Sequence, residues 1–371
     1  DFDCVTKANI GDCHATGQRP ITFIRQLLAC ITYPTLLNNS SIPADVKERA
    51  SDLLRECRGF SVGSYTESAG IDLVRKHVAD FIANRDGFPA DWQNVTLGSG
   101  ASDSIKSVLK LLISQVDGKK AGVLVPIPQY PLYSATLAEF DMYQIDYYLD
   151  EDHNWGLDVT ELERAIKQAR NQCTPRAIVV INPGNPTGQV LTEDNIREIV
   201  QFAYHHKLFI LADEVYQFNV YDSNSKFHSF KKVMMDMGEP YCHMELASFM
   251  SCSKGYMGEC GLRGGYAEII NMCPDVRKMY LKSISAMLCP TVIGQAAIDC
   301  VVKPPECGQI SYDLYLREKN DILDSLKIRA KLIEEAFNKF PGMSCNPVMG
   351  AMYAFPAIKM PQRAIEAAKK Q

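Results

Sequence analysis

The sequence predicts an α/β fold in which a mostly parallel sheet is flanked by helices. From Asn94 onward, short apolar and β-branched runs alternate with stretches in which apolar residues recur at helical spacing. Each strand-like run ends in a polar or glycine-containing turn, which is typical of strands joined by helices. The strand-like runs are NVTL, AGVLVP, RAIVVIN, LFILAD and ELASFM.

Length, charge and composition exclude several classes of protein. The chain has 371 residues, 46% of them hydrophobic, which is enough for two domains with substantial cores. The formal net charge of −5 offers nucleic acid no basic surface, and the longest apolar runs are far shorter than the ~20 residues that span a membrane. Thirteen cysteines without a CxxC pair indicate reduced thiols. We therefore expect a cytoplasmic or mitochondrial-matrix protein that is not secreted.

The pattern along the chain predicts three regions. Residues 1–55 form an N-terminal arm and part of a small domain, and residues 56–310 form a large domain. Residues 311–371 form a smaller α+β domain, which begins with a long helix from Ser311 to Phe340 and offers one strand from Gly350 to Phe355. One strand is too little to bury both faces of a sheet, so we expect this domain to be incomplete here.

Ligands of open α/β sheets bind beyond the carboxyl ends of the strands, where two loops of this sequence are notable. After NVTL, the segment from Gly98 to Ser104 opens a helix whose free N–H groups can hold a phosphate. An ordinary N-cap explains this segment equally well. After RAIVVI, two prolines and two glycines make a rigid loop from which Asn185 can present its amide.

A carboxylate and a lysine follow the next two strands. Asp213 ends a very apolar strand, where its charge is costly without a cationic partner, either an internal arginine or a ligand. Lys254 lies among small and apolar residues that favour its uncharged, imine-forming state, although an ordinary surface lysine is the alternative. An anion site, an amine and a carboxylate are the three needs of pyridoxal 5′-phosphate, which carries a phosphate, an aldehyde and a ring nitrogen.

With these motifs the sequence closely resembles the alanine aminotransferases, a group of the fold type I pyridoxal-phosphate-dependent aminotransferases. The resemblance runs from KANIGD near the N-terminus to GAMYAFP near the C-terminus. It is carried by PIPQYPLYSA, VVINPGNPTGQV, LADEVYQ and SFMSCSKGYMGECGLRGGY. It implies the fold type I architecture, pyridoxal 5′-phosphate as cofactor, and ping-pong transamination of L-alanine and 2-oxoglutarate to pyruvate and L-glutamate.

The resemblance also implies a role for individual residues. Lys254 would bind the cofactor covalently and move the proton at the substrate α-carbon, and Asp213 would keep the ring nitrogen protonated. Tyr216 and Asn185 would hold the ring 3′-oxygen. The resemblance further assigns the ring face to Tyr130, the phosphate to Ala101, Ser102, Ser251 and Arg263, the phosphate of a neighbouring subunit to Tyr65, and the substrate to Gly11 and Asn185. A homodimer that shares site residues follows from the assignment of Tyr65.

The sequence departs from the family at two places. Arg263 follows Lys254 by nine residues, one more than in the aspartate aminotransferases, and the C-terminal arginine that binds the substrate carboxylate has no counterpart. Arg363 is interpreted as a solvated helix residue. We therefore expect a fragment or a defective isoform that binds the cofactor weakly and has little activity; otherwise Arg19 or Arg25 would replace the absent arginine.

Other functions remain open at this point. A homologue that binds the cofactor without catalysis is one, and transamination of glyoxylate or aromatic substrates is another. The GxSxG pattern around Ser61 suggests a hydrolase, but that motif needs a preceding strand, and the residues before it are typical of a charged helix. The histidines show no metal-binding spacing, so we expect no metal.

Overall fold

The computed structural model describes residues 11–370, and its main feature is an eight-stranded mixed sheet flanked by helices. The strands are β1 Val95–Gly98, β2 Gln115–Val116, β3 Lys119–Ile127, β4 Tyr143–Tyr148, β5 Cys173–Ile181, β6 Phe209–Asp213, β7 Leu246–Ser251, β8 Gly265–Ile270, β9 Met343–Ser344 and β10 Ala357–Ile358. The helices are α1 Thr22–Thr32, α2 Ala44–Glu56, α3 Asp72–Asp86, α4 Ala101–Lys110, α5 Leu132–Glu139, α6 Val159–Ala169, α7 Glu193–His206, α8 Phe230–Met237, α9 Pro274–Ser285, α10 Val292–Val302, α11 Tyr312–Lys339 and α12 Gln362–Ala368.

The order of the strands in the large sheet is β1-β8-β7-β6-β5-β3-β2, and β4 also pairs with β3. The pairs β3–β4, β3–β5, β5–β6 and β6–β7 are parallel, whereas β8 runs antiparallel to both β7 and β1. The prediction of a mostly parallel sheet is confirmed. Each of the five strand-like runs of the sequence overlaps one of its strands: β1, β3, β5, β6 and β7.

The central strands are buried on both faces because helices cover both sides of the sheet. Every residue of β6 is buried, as expected for a parallel strand with few polar residues. Since side chains alternate along a strand, Ile210 packs in the core that contains residues of α6, α7 and α8, and Leu211 in the core that contains residues of α4, α5 and α9. No helix within residues 11–370 has the length and apolar character needed to cross a membrane.

The strand register places the candidate loops side by side. Ile181 at the end of β5 pairs with Asp213 at the end of β6, and Asp213 pairs with Phe249 of β7. The backbone N–H of Asn182 also donates to the carbonyl of Asp213 over 3.0 Å. The loops that follow β5, β6 and β7 therefore meet at one edge of the sheet.

The C-terminal region agrees with the sequence in its helix and differs in its strand. Helix α11 corresponds to the long helix predicted from Ser311 to Phe340. The strand predicted from Gly350 to Phe355 is wrong, because only Gly350 forms a β-bridge, with Val220, and Ala351 then turns the chain with a φ of 59°. The turn follows from backbone hydrogen bonds of Gly350 and Ala351 to two loops that are distant in the sequence. The division into three regions at residues 55 and 310 stays a prediction.

Candidate active site

A cleft of about 170 Å³ opens where β5, β6 and β7 end. Its walls bring together nine residues that the sequence singled out: Ala101, Ser102, Tyr130, Asn185, Asp213, Tyr216, Ser251, Lys254 and Arg263. These residues come from six separate segments of the chain. Their convergence follows from the strand order, which brings the carboxyl ends of neighbouring strands to one edge.

Asp213 is the buried carboxylate of this cleft. Its side chain is about 4% exposed, and its Oδ2 accepts a hydrogen bond from the Tyr133 hydroxyl over 2.8 Å. No lysine, arginine or histidine of residues 11–370 forms an ion pair with it. Burial raises the pKa of Asp213 to about 6, although the Tyr133 hydroxyl and the Val215 N–H act in the opposite direction. A carboxylate buried without a cation suits a protonated ring nitrogen supplied by a ligand.

Lys254 lies in the loop after β7, and its amine points into the same cleft. The Nζ donates a hydrogen bond to the carbonyl oxygen of Gly11 over 2.6 Å. Gly255 and Gly258 give this loop its turns, with φ values of 70° and 65°. A Cβ at Gly258 would lie 2.7 Å from the Cβ of Cys13, so only glycine lets the N-terminal segment come so close.

The N-terminal segment, defined here as residues 11–18, is held against the loop of Lys254. The Arg25 guanidinium, in α1, donates to both carboxylate oxygens of Glu259, over 2.9 and 2.8 Å. The Gln18 amide donates to the carbonyl of Tyr256 over 2.9 Å. These contacts fix Gly11 beside Lys254. They also pair Arg25 with Glu259, so Arg25 is not a free group for a substrate carboxylate.

The other end of the cleft has the character of a phosphate site. Helix α4 begins at Ala101, and Arg263 lies against this end, where its Nη2 donates to the carbonyl of Ser99 over 3.3 Å. Gly100 has a φ of 88°, and a Cβ there would overlap the Arg263 guanidinium. Arg263 forms no ion pair with any residue between 11 and 370. A helix N-terminus beside an uncompensated guanidinium fits the phosphate of pyridoxal 5′-phosphate.

The aromatic residues of the cleft differ in their burial. Tyr216 is fully buried, and its hydroxyl donates to that of Tyr353 over 3.2 Å. Tyr130 is exposed at the rim, as expected of a ring that is free to cover a ligand. Asn185 lies in a loop that is fixed by a hydrogen bond from the Leu191 N–H to the side-chain oxygen of Asn182 over 3.0 Å.

Sequence reasoning missed several residues of the site. Tyr353 lines the cleft but belongs to the segment that was predicted to be a strand. Tyr133 lies three residues after Tyr130, a helical spacing that would have suggested an inward-facing position at the start of α5. Cys260 also lines the cleft, where the neighbouring Cys13 thiol and the charge of Lys254 hold its pKa below the usual value.

Two predicted residues lie outside the cleft lining. Gly11 is adjacent to it through its contact with Lys254. Tyr65 is about 65% exposed and does not line the cleft of its own chain. Its assignment to a neighbouring subunit stays a prediction.

The remaining signals of the sequence lead to no site. Helix α2 and a short 3-10 turn precede Ser61, so the strand that a hydrolase nucleophile needs is missing at this motif. Arg363 is exposed on helix α12. Within the part of the chain that the structure describes, no group of histidine, cysteine and acidic residues is arranged to hold a metal ion.

The chain matches the family Aminotransferase class I and II over residues 28–370. It belongs to this family. Class I and II aminotransferases use pyridoxal 5′-phosphate, the cofactor that the sequence predicted and that the cleft fits.

Several known proteins are similar to this aminotransferase. It is 56% identical over 371 residues to alanine aminotransferase 1 of Homo sapiens, covering 75% of that protein, and 46% identical over 375 residues to the mitochondrial alanine aminotransferase 1 of Arabidopsis thaliana, covering 68% of it. Both matches span 100% of this chain. Among solved structures, an alanine aminotransferase from Pyrococcus furiosus has a TM-score of 0.71 at 22% identity, covering 85% of this chain and 73% of its own. This last match supports the fold.

Proposed function

We propose that this aminotransferase transfers the amino group of L-alanine to 2-oxoglutarate and so yields pyruvate and L-glutamate. The observation that carries the proposal is the single cleft in which Lys254, the Asp213 carboxylate and the Arg263 guanidinium converge. Neither of the last two forms an ion pair with any residue between 11 and 370. The relatives named as alanine aminotransferases, 46 to 56% identical over the whole chain, support alanine as the amino donor.

Pyridoxal 5′-phosphate, when bound, supplies the aldehyde that receives the amino group and the ring that withdraws electrons from the substrate α-carbon. Lys254 would hold the aldehyde and then move the proton at the substrate α-carbon, since among residues 11–370 its amine is the only lysine nitrogen that lines the cleft. The Gly11 carbonyl accepts a hydrogen bond from this amine and so keeps it aimed into the cleft.

Asp213 would hold a proton on the ring nitrogen by its negative charge. Tyr133 keeps one carboxylate oxygen occupied, which leaves the other for this contact. Tyr216 and Asn185 would donate to the ring oxygen, and Tyr130 at the rim would cover the ring face. Asp213 ends the buried strand β6 and Asn185 lies in a fixed loop, so these two residues need little reorganisation when the ring binds.

The phosphate would lie at the beginning of α4. Ala101 and Ser102 offer free backbone N–H groups there, and Ser251 and Arg263 line the same cleft with a hydroxyl and a guanidinium. For the substrate, the N-terminal segment at Gly11 and the amide of Asn185 offer neutral polar contacts. Each such hydrogen bond contributes about 1 kcal/mol, and burying the methyl group of alanine about as much.

We further propose that the protein works as a homodimer in the cytosol or the mitochondrial matrix. Tyr65 is exposed near the loop of Cys289, whose Sγ accepts from the Thr66 N–H over 3.5 Å. Met287 and Leu288, which precede Cys289 in the chain, are also more than half exposed, so this part of the surface carries exposed apolar side chains. Sedimentation equilibrium tests the dimer, and a monomer at micromolar concentration would contradict it. The mitochondrial location named for the Arabidopsis relative supports one of the two compartments.

The decisive experiment combines turnover with covalent labelling. The protein loaded with cofactor is assayed with alanine and 2-oxoglutarate, then with glyoxylate and with aromatic amino acids. A separate sample is reduced with borohydride, digested and analysed by mass spectrometry. We expect the reduced cofactor on Lys254 and the highest kcat/KM with alanine; Lys254→Ala should lose both, whereas Lys278→Ala, an exposed control, should lose neither. Label on Lys254 without turnover would identify a silent homologue, and label elsewhere would contradict the assignment.

A further inference from the structure

Tyr353 lies between the cofactor cleft and a second cavity. It lines both the cleft of about 170 Å³ and a larger cavity of about 540 Å³. The second cavity is mostly apolar and is formed by the inner side of α11 and the segment from Val348 to Pro356. The Tyr353 side chain is therefore part of the partition between a small polar space and a large apolar one.

The segment that carries Tyr353 is fixed by contacts with two other loops. The Gly350 N–H donates to the carbonyl of Gly188 over 2.8 Å, and the Ala351 N–H donates to that of Asn219 over 3.0 Å. The Tyr221 hydroxyl donates to the carbonyl of Ala351 over 2.6 Å. The backbone beside Tyr353 is thus clamped, and its ring does not move away at low cost.

The ring itself is held at its far end. Its hydroxyl accepts a hydrogen bond from Tyr216 over 3.2 Å, and the two rings meet edge to face with centroids 6.0 Å apart. Removing the hydroxyl alone would loosen this contact and leave the ring in place. Removing the ring would open the partition.

The Tyr353 side chain lies beside the amine of Lys254. A Cβ added to Gly11 would overlap the Tyr353 hydroxyl and lie 3.3 Å from the Lys254 Nζ, so Gly11, the Tyr353 hydroxyl and the Lys254 amine are close neighbours with no room between them for an added carbon. An amine that moves the proton at the α-carbon must lie close to that carbon. A substrate side chain that extends from the α-carbon toward Gly11 therefore meets the Tyr353 hydroxyl.

We propose that Tyr353 determines substrate specificity by limiting the amino-acid side chain to about the size of a methyl group. This inference rests on the proposed transamination, because it concerns the substrate of the same site. Rejection of one additional methylene by a hydrophobic wall amounts to about 10- to 200-fold in kcat/KM. The ratio between alanine and a larger amino acid is therefore the quantity to measure.

The test compares three Tyr353 variants with the parent protein, all loaded with cofactor. Tyr353→Phe removes the hydroxyl and keeps the ring, so we expect the ratio of kcat/KM for alanine to that for leucine to fall less than in the variants that lose the ring. Tyr353→Ala and Tyr353→Leu remove or shorten the wall, so we expect this ratio to fall at least about tenfold, with a rise in kcat/KM for leucine itself. Tyr353→Leu decides the question if Tyr353→Ala does not fold. Met352→Ala is the matched control, because Met352 lines only the larger cavity.

A binding measurement separates this inference from the proposed function. Amino acids with a methyl group in place of the α-hydrogen bind such a site but have no α-proton to lose, and their binding is followed by the visible absorbance of the cofactor. We expect 2-methylleucine to bind at least about tenfold more tightly to Tyr353→Leu than to the parent, and 2-methylalanine to bind both alike. An unchanged affinity for 2-methylleucine, or the same gain in Met352→Ala, would overturn the role of Tyr353. Absence of alanine turnover in the parent would instead contradict the proposed function, and the titration would still decide the role of the wall.

Discussion

Asp213 and Glu214 are consecutive acidic residues, equally buried at about 4% and 1% exposure, yet their surroundings are opposite. Asp213 faces the cleft and has a tyrosine hydroxyl as its only side-chain partner among residues 11–370. Glu214 faces the interior, where Arg85 lies 3.7 Å away and the Phe230 N–H donates to it over 2.9 Å. Alternation of side chains at the end of β6 separates the two environments.

The interior side is a closed cluster of charges. Arg85 and Lys231 supply two positive charges, and Asp86, Glu214 and Glu268 supply three carboxylates. Burial is the largest cause that raises the pKa of Glu214 to about 7, and burial raises that of Glu268 as well. The charged groups of this cluster have permanent partners within the protein. A buried carboxylate therefore indicates a ligand site when it lacks a cationic partner. Burial alone does not indicate such a site.

The largest expected effect distinguishes the two carboxylates by activity. Asp213→Asn should lower kcat about 10²- to 10³-fold, because a neutral amide cannot stabilise a protonated ring nitrogen. Glu214→Gln should leave kcat within about threefold, because its side chain does not line the cleft and the amide oxygen can still accept from the Phe230 N–H. Steady-state assays of both variants with saturating cofactor measure the difference. Equal losses in the two variants would show that the comparison is wrong.

For the free energy of unfolding, in contrast, we expect a large effect in the interior cluster. Lys231→Met leaves Glu268 buried without its cation, which typically costs about 3–5 kcal/mol in the free energy of unfolding. Lys278→Met breaks an exposed pair with Asp275 and should cost about 0–1 kcal/mol. Urea unfolding of both variants without cofactor measures the two costs. Equal shifts of the two urea midpoints would show that the buried pair contributes no more to stability than the exposed pair.

The smallest expected effect is a pH dependence of the cofactor-free protein. The pKa of Asp213 is raised from 3.8 to about 6, so the folded state binds its proton more tightly than the unfolded chain. Stability from this group is therefore full below about pH 4 and is lost as the pH rises to about 6, a loss of about 3 kcal/mol. Asp213→Asn removes the loss, so this variant should unfold at a higher temperature than the parent at pH 8 and at a similar one at pH 4. A constant difference across this range would contradict the uncompensated burial of Asp213.

The sequence predicts those features that local patterns determine. The apolar runs that became β5, β6 and β7 are local, and so are Asp213 and Lys254, which follow two of them directly. The partner of the buried carboxylate is not local. The sequence allowed an internal arginine as the partner of Asp213. Arg85 instead lies beside Glu214, the next residue. Only the three-dimensional structure shows which of these two adjacent carboxylates has the arginine.

The turn at Ala351 shows the same limit. Residues 350–355 alternate in a way that favours a strand, but the backbone bonds of Gly350 and Ala351 go to Gly188 and Asn219, more than 130 positions away in the sequence. These long-range bonds outweigh the local pattern and place Tyr353 in the cleft. The hydrogen bond from Tyr133 to Asp213 joins residues 80 positions apart and escapes a local analysis for the same reason.

The contact between Gly11 and Lys254 has a consequence for the synthesis of the chain. These residues are 243 positions apart, and the ribosome adds about 5–20 residues per second, so Gly11 exists for roughly 12–50 s before its partner is made. The same loop also provides the partners of three other early residues: Gly258 contacts Cys13, Tyr256 accepts from Gln18 and Glu259 pairs with Arg25. The wall of the cleft at Lys254 is therefore completed late, when the first part of the chain folds back onto the loop after β7.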